Sequence, residues 1–165
     1  MSSNYERELK DVLSGKKRPP FFSRLDKAKQ EDYLRFAKKP FIVVRATGSL
    51  GVADLVALRG GLSLLIEIKS SIHPIFHFSH QKRLIEQAER LREMCGRAEV
   101  LPIYAYYLKH QRSEHWRLFT IDIKTFGEAR PIYKSLPKID RTKDGNLVMQ
   151  WQKGIKLSDF LSLIS

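Results

Sequence analysis

Cysteine is almost absent from this chain, because Cys95 is the only one among 165 residues. A lone cysteine excludes an internal disulfide and a zinc site built from several cysteines. Long apolar runs are also lacking, since stretches such as FIVV and LSLLI fall far short of the roughly 20 residues that a membrane-spanning helix needs. The first residues, MSSNYERELKDVL, contain no apolar core that resembles a signal peptide. We therefore expect an intracellular, cytoplasmic protein with no membrane partner.

Acidic residues are scarce relative to basic ones. The 18 Asp and Glu residues oppose 30 Lys and Arg residues, which gives a formal net charge of +12. Such an excess is typical of domains that bind the phosphates of nucleic acids, and it favours a DNA-associated protein over a merely basic one. A hydrophobic content of 42% suffices for one core. Because domains have roughly 100 to 200 residues, we expect a single domain over residues 1–165.

Helical periodicity occurs in several parts of the sequence. Apolar residues recur at helical spacing in residues 4–14, which end before Gly15, and in residues 79–95, which end before Gly96. Between them, Ser23 is a candidate N-cap for a further helix in the stretch LDKAKQEDYLRFAKK. A last helix is predicted in KLSDFLSLIS near the C-terminal end of the sequence.

The remaining apolar runs are short and rich in β-branched or aromatic residues. They predict five strands of a main sheet, in FIVVR, ADLVALR, LSLLIEIKSS, AEVLPIYAYYLK and HWRLFTIDI, and a further short strand in LVMQWQ. The pair Gly60 and Gly61 predicts a two-residue hairpin turn between the second and third strands. The order of elements indicates an α/β protein with a central mixed five-stranded sheet flanked by helices.

Three charged residues interrupt this otherwise apolar sheet. Side chains alternate along a strand, so Glu67 and Lys69 share one face while Ile66 and Ile68 point to the other. The hairpin then brings Asp54, at the start of the preceding strand, close to Glu67. Two neighbouring carboxylates are unfavourable unless a positive charge compensates them.

A divalent cation is one way to compensate these carboxylates. Magnesium prefers oxygen ligands, polarises a phosphodiester and activates water, while Lys69 could orient that water or stabilise developing negative charge. The spacing of Asp54, Glu67 and Lys69 is weak as an isolated pattern. Its alternative is an exposed strand face with a cross-strand ion pair.

The order of the blocks YERELKDVL, FIVVRATGSLGVADLVAL, LLIEIKSS and HFSHQKRLIEQAERL is more specific. It resembles the archaeal Holliday junction resolvases, a branch of the PD-(D/E)xK nuclease superfamily, over about residues 4–122. The resemblance implies a restriction-endonuclease-like nuclease fold. Two departures stand out: Ala53 replaces the motif proline, and residues 17–39 are predicted to be a helical insertion.

The resemblance also implies a catalytic and metal-binding group. Asp54 and Glu67 match the carboxylates that bind the metal, and the backbone carbonyl of Ile68 is a third candidate ligand. Lys69 matches the catalytic lysine. Glu6 matches a further acidic residue that reaches the metal from the first helix, although a solvated Glu in a first helical turn is the alternative.

Residues that contact DNA are implied as well. Arg7 and Arg45 match an arginine of the first helix and one at the end of the first strand, and arginine suits phosphate oxygens. Ser49 belongs to a Gly-Ser loop that includes Gly48. Lys82 and Arg83 begin the later helix on the expected side of the site. For the arginines the alternative is a surface ion pair, and for Ser49 it is a plain turn.

The loop HPIFHFSHQKR contains three histidines, His73, His77 and His80. A zinc site is one interpretation, but the spacing matches no standard zinc motif. The alternative is a loop that faces DNA or a second subunit, since it also carries aromatic and cationic side chains.

The resemblance and the charge together predict an endodeoxyribonuclease that resolves four-way DNA junctions by paired nicks. We expect Mg²⁺ as the cofactor, with Mn²⁺ as a substitute, no small-molecule organic cofactor, branched double-stranded DNA as the partner, and a homodimer that supplies two active sites. Two alternatives remain open: a related PD-(D/E)xK endonuclease in restriction or repair on other DNA, and a nucleic-acid binding protein without catalysis.

Overall fold

The structure is a computed structural model, and it describes residues 3–46, 53–125 and 127–165. Within them the helices are α1 (Ser3–Leu13), α2 (Pro19–Phe22), α3 (Lys27–Phe36), α4 (Lys82–Ala98), α5 (Ala129–Ser135) and α6 (Leu157–Leu163). The strands are β1 (Ile42–Arg45), β2 (Leu55–Arg59), β3 (Leu62–Ser71), β4 (Ile75–His77), β5 (Leu101–Leu108), β6 (Trp116–Phe119), β7 (Asp140–Arg141), β8 (Leu147–Gln150) and β9 (Ile155–Lys156).

The main sheet has the order β1-β2-β3-β5-β6-β9. Strands β3 and β5 are parallel, and the other neighbours are antiparallel. The predicted mixed α/β sheet with flanking helices is therefore confirmed, but it has six strands and not five. The sixth strand was missed because β9 has only two residues, which is too short for a periodic pattern.

A second, three-stranded sheet has the order β4-β8-β7. Its middle strand, β8, covers the first four residues of the strand predicted in LVMQWQ and pairs with β4 through Phe76 and Met149. Met149 in β8 and Trp151, which directly follows β8, are both buried. This small sheet packs on the same side of the main sheet as α4.

Two apolar clusters cover the two faces of the main sheet. On one face, residues of α1, α3 and α6 pack against even-numbered residues of β3, including Leu64 and Ile66. On the other face, Leu84, Ala88 and Leu91 of α4 pack with residues of β5. The sheet is thus a middle layer between helices, and each face of β3 has a different set of neighbours.

Two predicted helix boundaries are wrong. Ser23 follows α2, and the N-cap of α3 is Asp26, whose carboxylate accepts a hydrogen bond from the backbone N of Lys29 at 2.8 Å. The helix α4 continues past Gly96 and ends at Ala98. Its C-cap residue, Glu99, adopts a left-handed conformation with φ 57°. Local capping geometry, which the periodic pattern does not contain, decided both boundaries.

Residues 17–39 contain α2 and α3, which pack against α1 and α6 and contribute Phe21, Tyr33 and Phe36 to the same apolar cluster. The hydroxyl of Tyr33 donates hydrogen bonds to the backbone oxygens of Val12 (2.7 Å) and Lys16 (2.8 Å). The ammonium of Lys29 lies 2.6 Å from the carboxylate of Asp159 in α6. That this segment is an insertion into a single domain stays a prediction. No helix in the described ranges is long and apolar enough to cross a membrane.

Candidate active site

Strands β2 and β3 form the framework of the site. They are joined by a two-residue turn in which Gly60 has φ +56°, and Leu55 pairs with Ile66. Asp54 comes directly before β2, and its backbone N donates to the carbonyl of Ile66 at 2.9 Å. Its carboxylate accepts a hydrogen bond from the backbone N of Ile68 at 2.7 Å. The hairpin therefore fixes the Asp54 carboxylate against the backbone beside Glu67.

Glu67 is a buried carboxylate, with only 5% of its surface exposed. Burial raises its pKa to about 8 in the metal-free protein; the ammonium of Lys69 acts in the opposite direction, and Asp54 adds to the increase through its charge and a hydrogen bond. Burial and the neighbouring carboxyl group thus make Glu67 hold a proton. Together, Asp54 and Glu67 offer an oxygen-rich environment for a cation.

The ammonium of Lys69 is held from two sides. Its Nζ lies 3.6 Å from Oε1 of Glu67 and donates a hydrogen bond to Oε1 of Gln87 in α4 at 3.1 Å. It also lies 5.9 Å from the ring centroid of Phe76, and 12% of the Lys69 side chain is exposed. These contacts fix one end of a long side chain, which would otherwise sample many rotamers.

Sequence reasoning did not assign a role to Gln87. The signal was present, because Gln87 lies three residues after Leu84 and one before Ala88, within the stripe of α4 that packs on the sheet. A polar residue in an apolar stripe needs a partner when it is partly buried. Only the tertiary structure identifies that partner as Lys69.

Two tyrosines of β5 lie beside the charged residues of β3. Glu67 pairs with Tyr104, and Lys69 pairs with Tyr106, in the parallel ladder. The Tyr106 hydroxyl donates a hydrogen bond to the carbonyl of His73. The hydroxyl of Tyr104 is buried and has no hydrogen-bond partner among the described residues. These rings make the floor of the site apolar, which contributes to the desolvation of Glu67.

Glu6 and Arg45 form a separate pair, in which Nη2 of Arg45 lies 2.9 Å from Oε2 of Glu6. Two residues that the resemblance singled out are thus in direct contact. In the described ranges, no group of three or more His, Cys, Asp and Glu side chains is arranged to hold a metal. Asp54 and Glu67 thus lie next to each other, whereas Glu6 lies next to Arg45.

The residues that are predicted to contact DNA lie at several places in the structure. Arg7 is exposed on α1, and Lys82 is exposed at the start of α4, 3.8 Å from Glu86. Arg83 lines a cleft of about 350 Å³ together with the histidines of the preceding loop. Gly48 and Ser49 lie outside the described residues.

The histidine loop does not support a zinc site. The rings of His77 and His80 stack with centroids 5.0 Å apart. Among the side chains that the structure describes, these histidines do not form a group that could hold a metal. His73, His77 and His80 are therefore not candidate metal ligands.

Comparison with solved structures finds a similar fold in a nuclease. The chain is similar to the 1.6 Å structure of Archaeoglobus fulgidus Hjc, described as a Holliday junction resolvase from an archaeal hyperthermophile. The TM-score is 0.52 at 18% identity, and the alignment covers 81% of this chain and 91% of that chain. At this identity the likeness shows a shared fold. No curated protein matches the sequence significantly.

The sequence also matches the family model of the archaeal Holliday junction resolvase (Hjc) over residues 29–165. The chain belongs to this family of nucleases, and the predicted family and enzyme class are confirmed. The matched range includes Asp54, Glu67 and Lys69. It begins after Glu6 and Arg7, so the roles of these two residues depend on the resemblance of the YERELKDVL block alone.

Proposed function

We propose that this resolvase cuts four-way DNA junctions by paired nicks at a Mg²⁺ site formed by Asp54 and Glu67. The observation that carries the proposal is the group of Asp54, Glu67 and Lys69 on one face of the hairpin, in which Glu67 is buried and the other two are partly buried. Burying these charges costs stability. A chemical role accounts for an arrangement that folding alone does not favour.

The side chains present fit a hard divalent cation. Both candidate ligands are carboxylates, and the pKa of Glu67 is raised mainly by burial and further by the neighbouring Asp54, so a bound cation would favour the ionised form of Glu67. Mg²⁺ and Mn²⁺ prefer such oxygen ligands, whereas a zinc site usually includes cysteine or histidine. The carbonyl of Ile68 and the carboxylate of Glu6 are further candidate ligands. A bound divalent cation supplies Lewis-acid polarisation of the phosphodiester and lowers the pKa of water.

Lys69 stabilises negative charge that develops on the phosphate or on the attacking water. Its Nζ is held between Glu67 and Gln87, so little reorganisation is needed during the reaction. Arg45 and Arg7 contact phosphates near the bond that is cut. In the free protein, Glu6 holds the guanidinium of Arg45 in position. Ser49, Lys82 and Arg83 extend the contacts with the DNA backbone.

One active site cuts one strand at a time, and each subunit has one group of Asp54, Glu67 and Lys69. Paired nicks therefore require two active sites. A two-fold homodimer supplies both sites in a fixed relation. The partner is then branched double-stranded DNA, which is selected by its shape and phosphate positions and not by its base sequence. An intracellular, DNA-associated location belongs to the same proposal.

Cutting of a labelled four-way junction by the wild type and by Asp54→Ala, with and without Mg²⁺, tests this function. We expect Mg²⁺-dependent paired nicks from the wild type, and a rate at least about 10³-fold lower from Asp54→Ala. Binding of Asp54→Ala to the junction in Ca²⁺ should persist. The matched control is Asp144→Ala, which removes an exposed carboxylate and should leave the rate unchanged.

Linear duplex and flap substrates separate the junction proposal from other nuclease activities. Equal cutting of linear duplex would exclude junction specificity. Undiminished cutting by Asp54→Ala would exclude the proposed metal site.

A further inference from the structure

Basic charge is concentrated in the segment that carries α2 and α3. Residues 16–39 contain nine Lys and Arg residues and only three Asp and Glu residues. Their net charge of +6 is half of the +12 of the whole chain. The apolar residues of this segment pack in the main core, whereas its Lys and Arg side chains are exposed or partly buried, so core packing does not explain this charge.

Four exposed lysines of this segment form one surface, which we call the basic ridge: Lys16, Lys17, Lys38 and Lys39. A turn at Gly15 brings the two pairs together. Gly15 has φ +85°, and a Cβ there would lie 3.2 Å from Cβ of Pro40. Lys16 and Lys17 thus lie on one side, and Lys38 and Lys39 on the other, of the place where the backbone at Gly15 comes close to Pro40.

The backbone beneath the basic ridge is fixed by buried and partly buried groups. The guanidinium of Arg59 donates hydrogen bonds to the carbonyls of Lys39 (2.5 Å) and Ile164 (2.6 Å), and it lies over the ring of Phe36. The hydroxyl of Tyr33 donates to the carbonyl of Lys16. The ridge lysines are therefore presented from a rigid base, which lowers the entropy cost of binding.

Little negative charge opposes the ridge. Nζ of Lys16 lies 3.5 Å from Asp11, but the Lys16 side chain remains 70% exposed. Such a weak surface ion pair leaves most of its charge available to a polyanion. Lysine is a point charge that suits phosphate without demanding one geometry.

The basic ridge and the candidate active site lie at opposite ends of α1 and β1. At one end Glu6 contacts Arg45, and at the other end the backbone N of Phe41 donates to the carbonyl of Leu13 at 3.0 Å. Seven residues of helix, about 10 Å, separate Glu6 from Leu13, and the turn that leads to Lys16 adds about 5 Å. About six extended residues between Lys39 and Arg45 span about 20 Å. Since phosphates of one strand follow each other about every 3.4 Å along the axis, this is about four to six base pairs.

We propose that the basic ridge binds the phosphates of one duplex arm of the junction, about four to six base pairs from the bond that is cut. The inference rests on the proposed function and assigns to residues 16–39 a role in holding the arm. Lys16 and Lys17 precede the range that matches the family model, whereas Lys38 and Lys39 lie inside it.

The test compares the wild type with a variant in which all four ridge lysines are alanine. Binding of a labelled junction with long arms is measured by anisotropy in Ca²⁺ at several salt concentrations. We expect roughly tenfold weaker binding at low salt, and a salt dependence that is shallower by about 0.9 for each phosphate that the variant no longer neutralises. The single-turnover cutting rate at saturating protein in Mg²⁺ should stay within about twofold, because the lysines lie far from the site.

Two controls make the test specific. The first replaces four exposed lysines of the C-terminal third, Lys124, Lys134, Lys143 and Lys156, and so removes the same charge. The second uses a junction with arms of the same length whose linkages beyond about three base pairs are neutral methylphosphonates, which offer no charge to the ridge. We expect normal binding by the control variant, and equal binding of the neutral-arm junction by wild type and ridge variant.

Equal weakening of binding in both lysine variants, or the same weakening on the neutral-arm junction, would overturn the proposal, since net charge alone would then account for it. Failure of the proposed function is distinguishable. It would appear as a wild type that does not cut the junction, whatever the ridge variant does to binding.

Discussion

The two faces of β3 differ in burial and in chemistry: the even-numbered residues from Leu62 to Ile68 are buried, whereas on the other face only Glu67 is buried. Toward α1 and α6, Ile66 is 2% exposed and packs in an apolar cluster. Toward α4, the next residue, Glu67, is 5% exposed and contacts Lys69. Burial stabilises the fold on the first face, whereas on the second it raises the pKa of a carboxyl group and costs stability. Because side chains alternate along a strand, β3 contributes both to the apolar core and to the candidate active site.

Removal of the ammonium from the charged face should have the largest effect. Lys69→Ala should lower the Mg²⁺-dependent cutting rate by at least about 10³-fold while leaving the free energy of unfolding almost unchanged. Single-turnover cutting and urea unfolding measure the two effects. Ser70→Ala, one residue along and on the other face, is the matched control and should cut normally. A stable Lys69→Ala variant that cuts at the wild-type rate would contradict a role of this ammonium in catalysis.

The apolar face should respond in the opposite way. Ile66→Ala should lower the free energy of unfolding by about 2–5 kcal/mol, because it leaves a cavity among buried residues. Cutting per folded molecule at low temperature should be close to that of the wild type. Urea unfolding and an active-site titration check this. A loss of cutting without a loss of stability would show that the two faces are not independent.

The pH dependence of stability sharpens the contrast. In the metal-free protein, the pKa of Glu67 is raised to about 8 by burial, so the folded state keeps a proton that the unfolded state has lost. The stabilising contribution is complete below the unfolded pKa of about 4.5 and is lost as the pH rises through 8. The slope from this one group is at most about −1.4 kcal/mol per pH unit.

Glu67→Gln replaces the titrating carboxyl group with an amide that does not titrate. The variant is therefore the reference for the pH dependence of the wild type. In EDTA, the variant should be more stable than the wild type at pH 8, and the difference should shrink toward about pH 5. Urea unfolding at several pH values measures it. Parallel curves for the two proteins would contradict the buried, proton-binding Glu67.

The smallest effect is expected at the contact between the charged face and α4. Gln87→Leu removes the acceptor for Nζ of Lys69 and should lower the single-turnover rate about tenfold, the value of roughly one hydrogen bond to a charged group. Junction binding in Ca²⁺ should not change. Gln87→Glu keeps an acceptor and should cut better than Gln87→Leu. Equal rates for the two variants would leave Gln87 without a positioning role.

The sequence predicted the parts of the fold that depend on local patterns. The hairpin turn at Gly60 and Gly61, the strand LSLLIEIKSS and the helix of residues 4–14 are all found in the structure. The shared face of Glu67 and Lys69 was predictable for the same reason, because alternation in a strand is a property of the backbone. The catalytic roles of these residues stay a prediction until the variants are measured.

Other features needed contacts between distant parts of the chain. The strand β9 has two residues and exists because it pairs with β6, and β8 joins a separate sheet because β4 lies beside it. The start of α3 depends on Asp26, whose carboxylate is in reach of one backbone N, and not on Ser23. No periodicity in the sequence contains these choices.

The sequence by itself determined that Asp54, Glu67 and Lys69 come from one hairpin and that basic charge is concentrated before the first strand, since turn residues, alternation and charge are local properties. Only the tertiary structure decided what surrounds them. Packing of α4 and β5 buries Glu67 and gives Lys69 its partner in Gln87, while the turn at Gly15 collects lysines from two segments into the basic ridge. Burial and contact at long sequence separation depend on the whole packed fold, and they set both the pKa of Glu67 and the surface that DNA would meet.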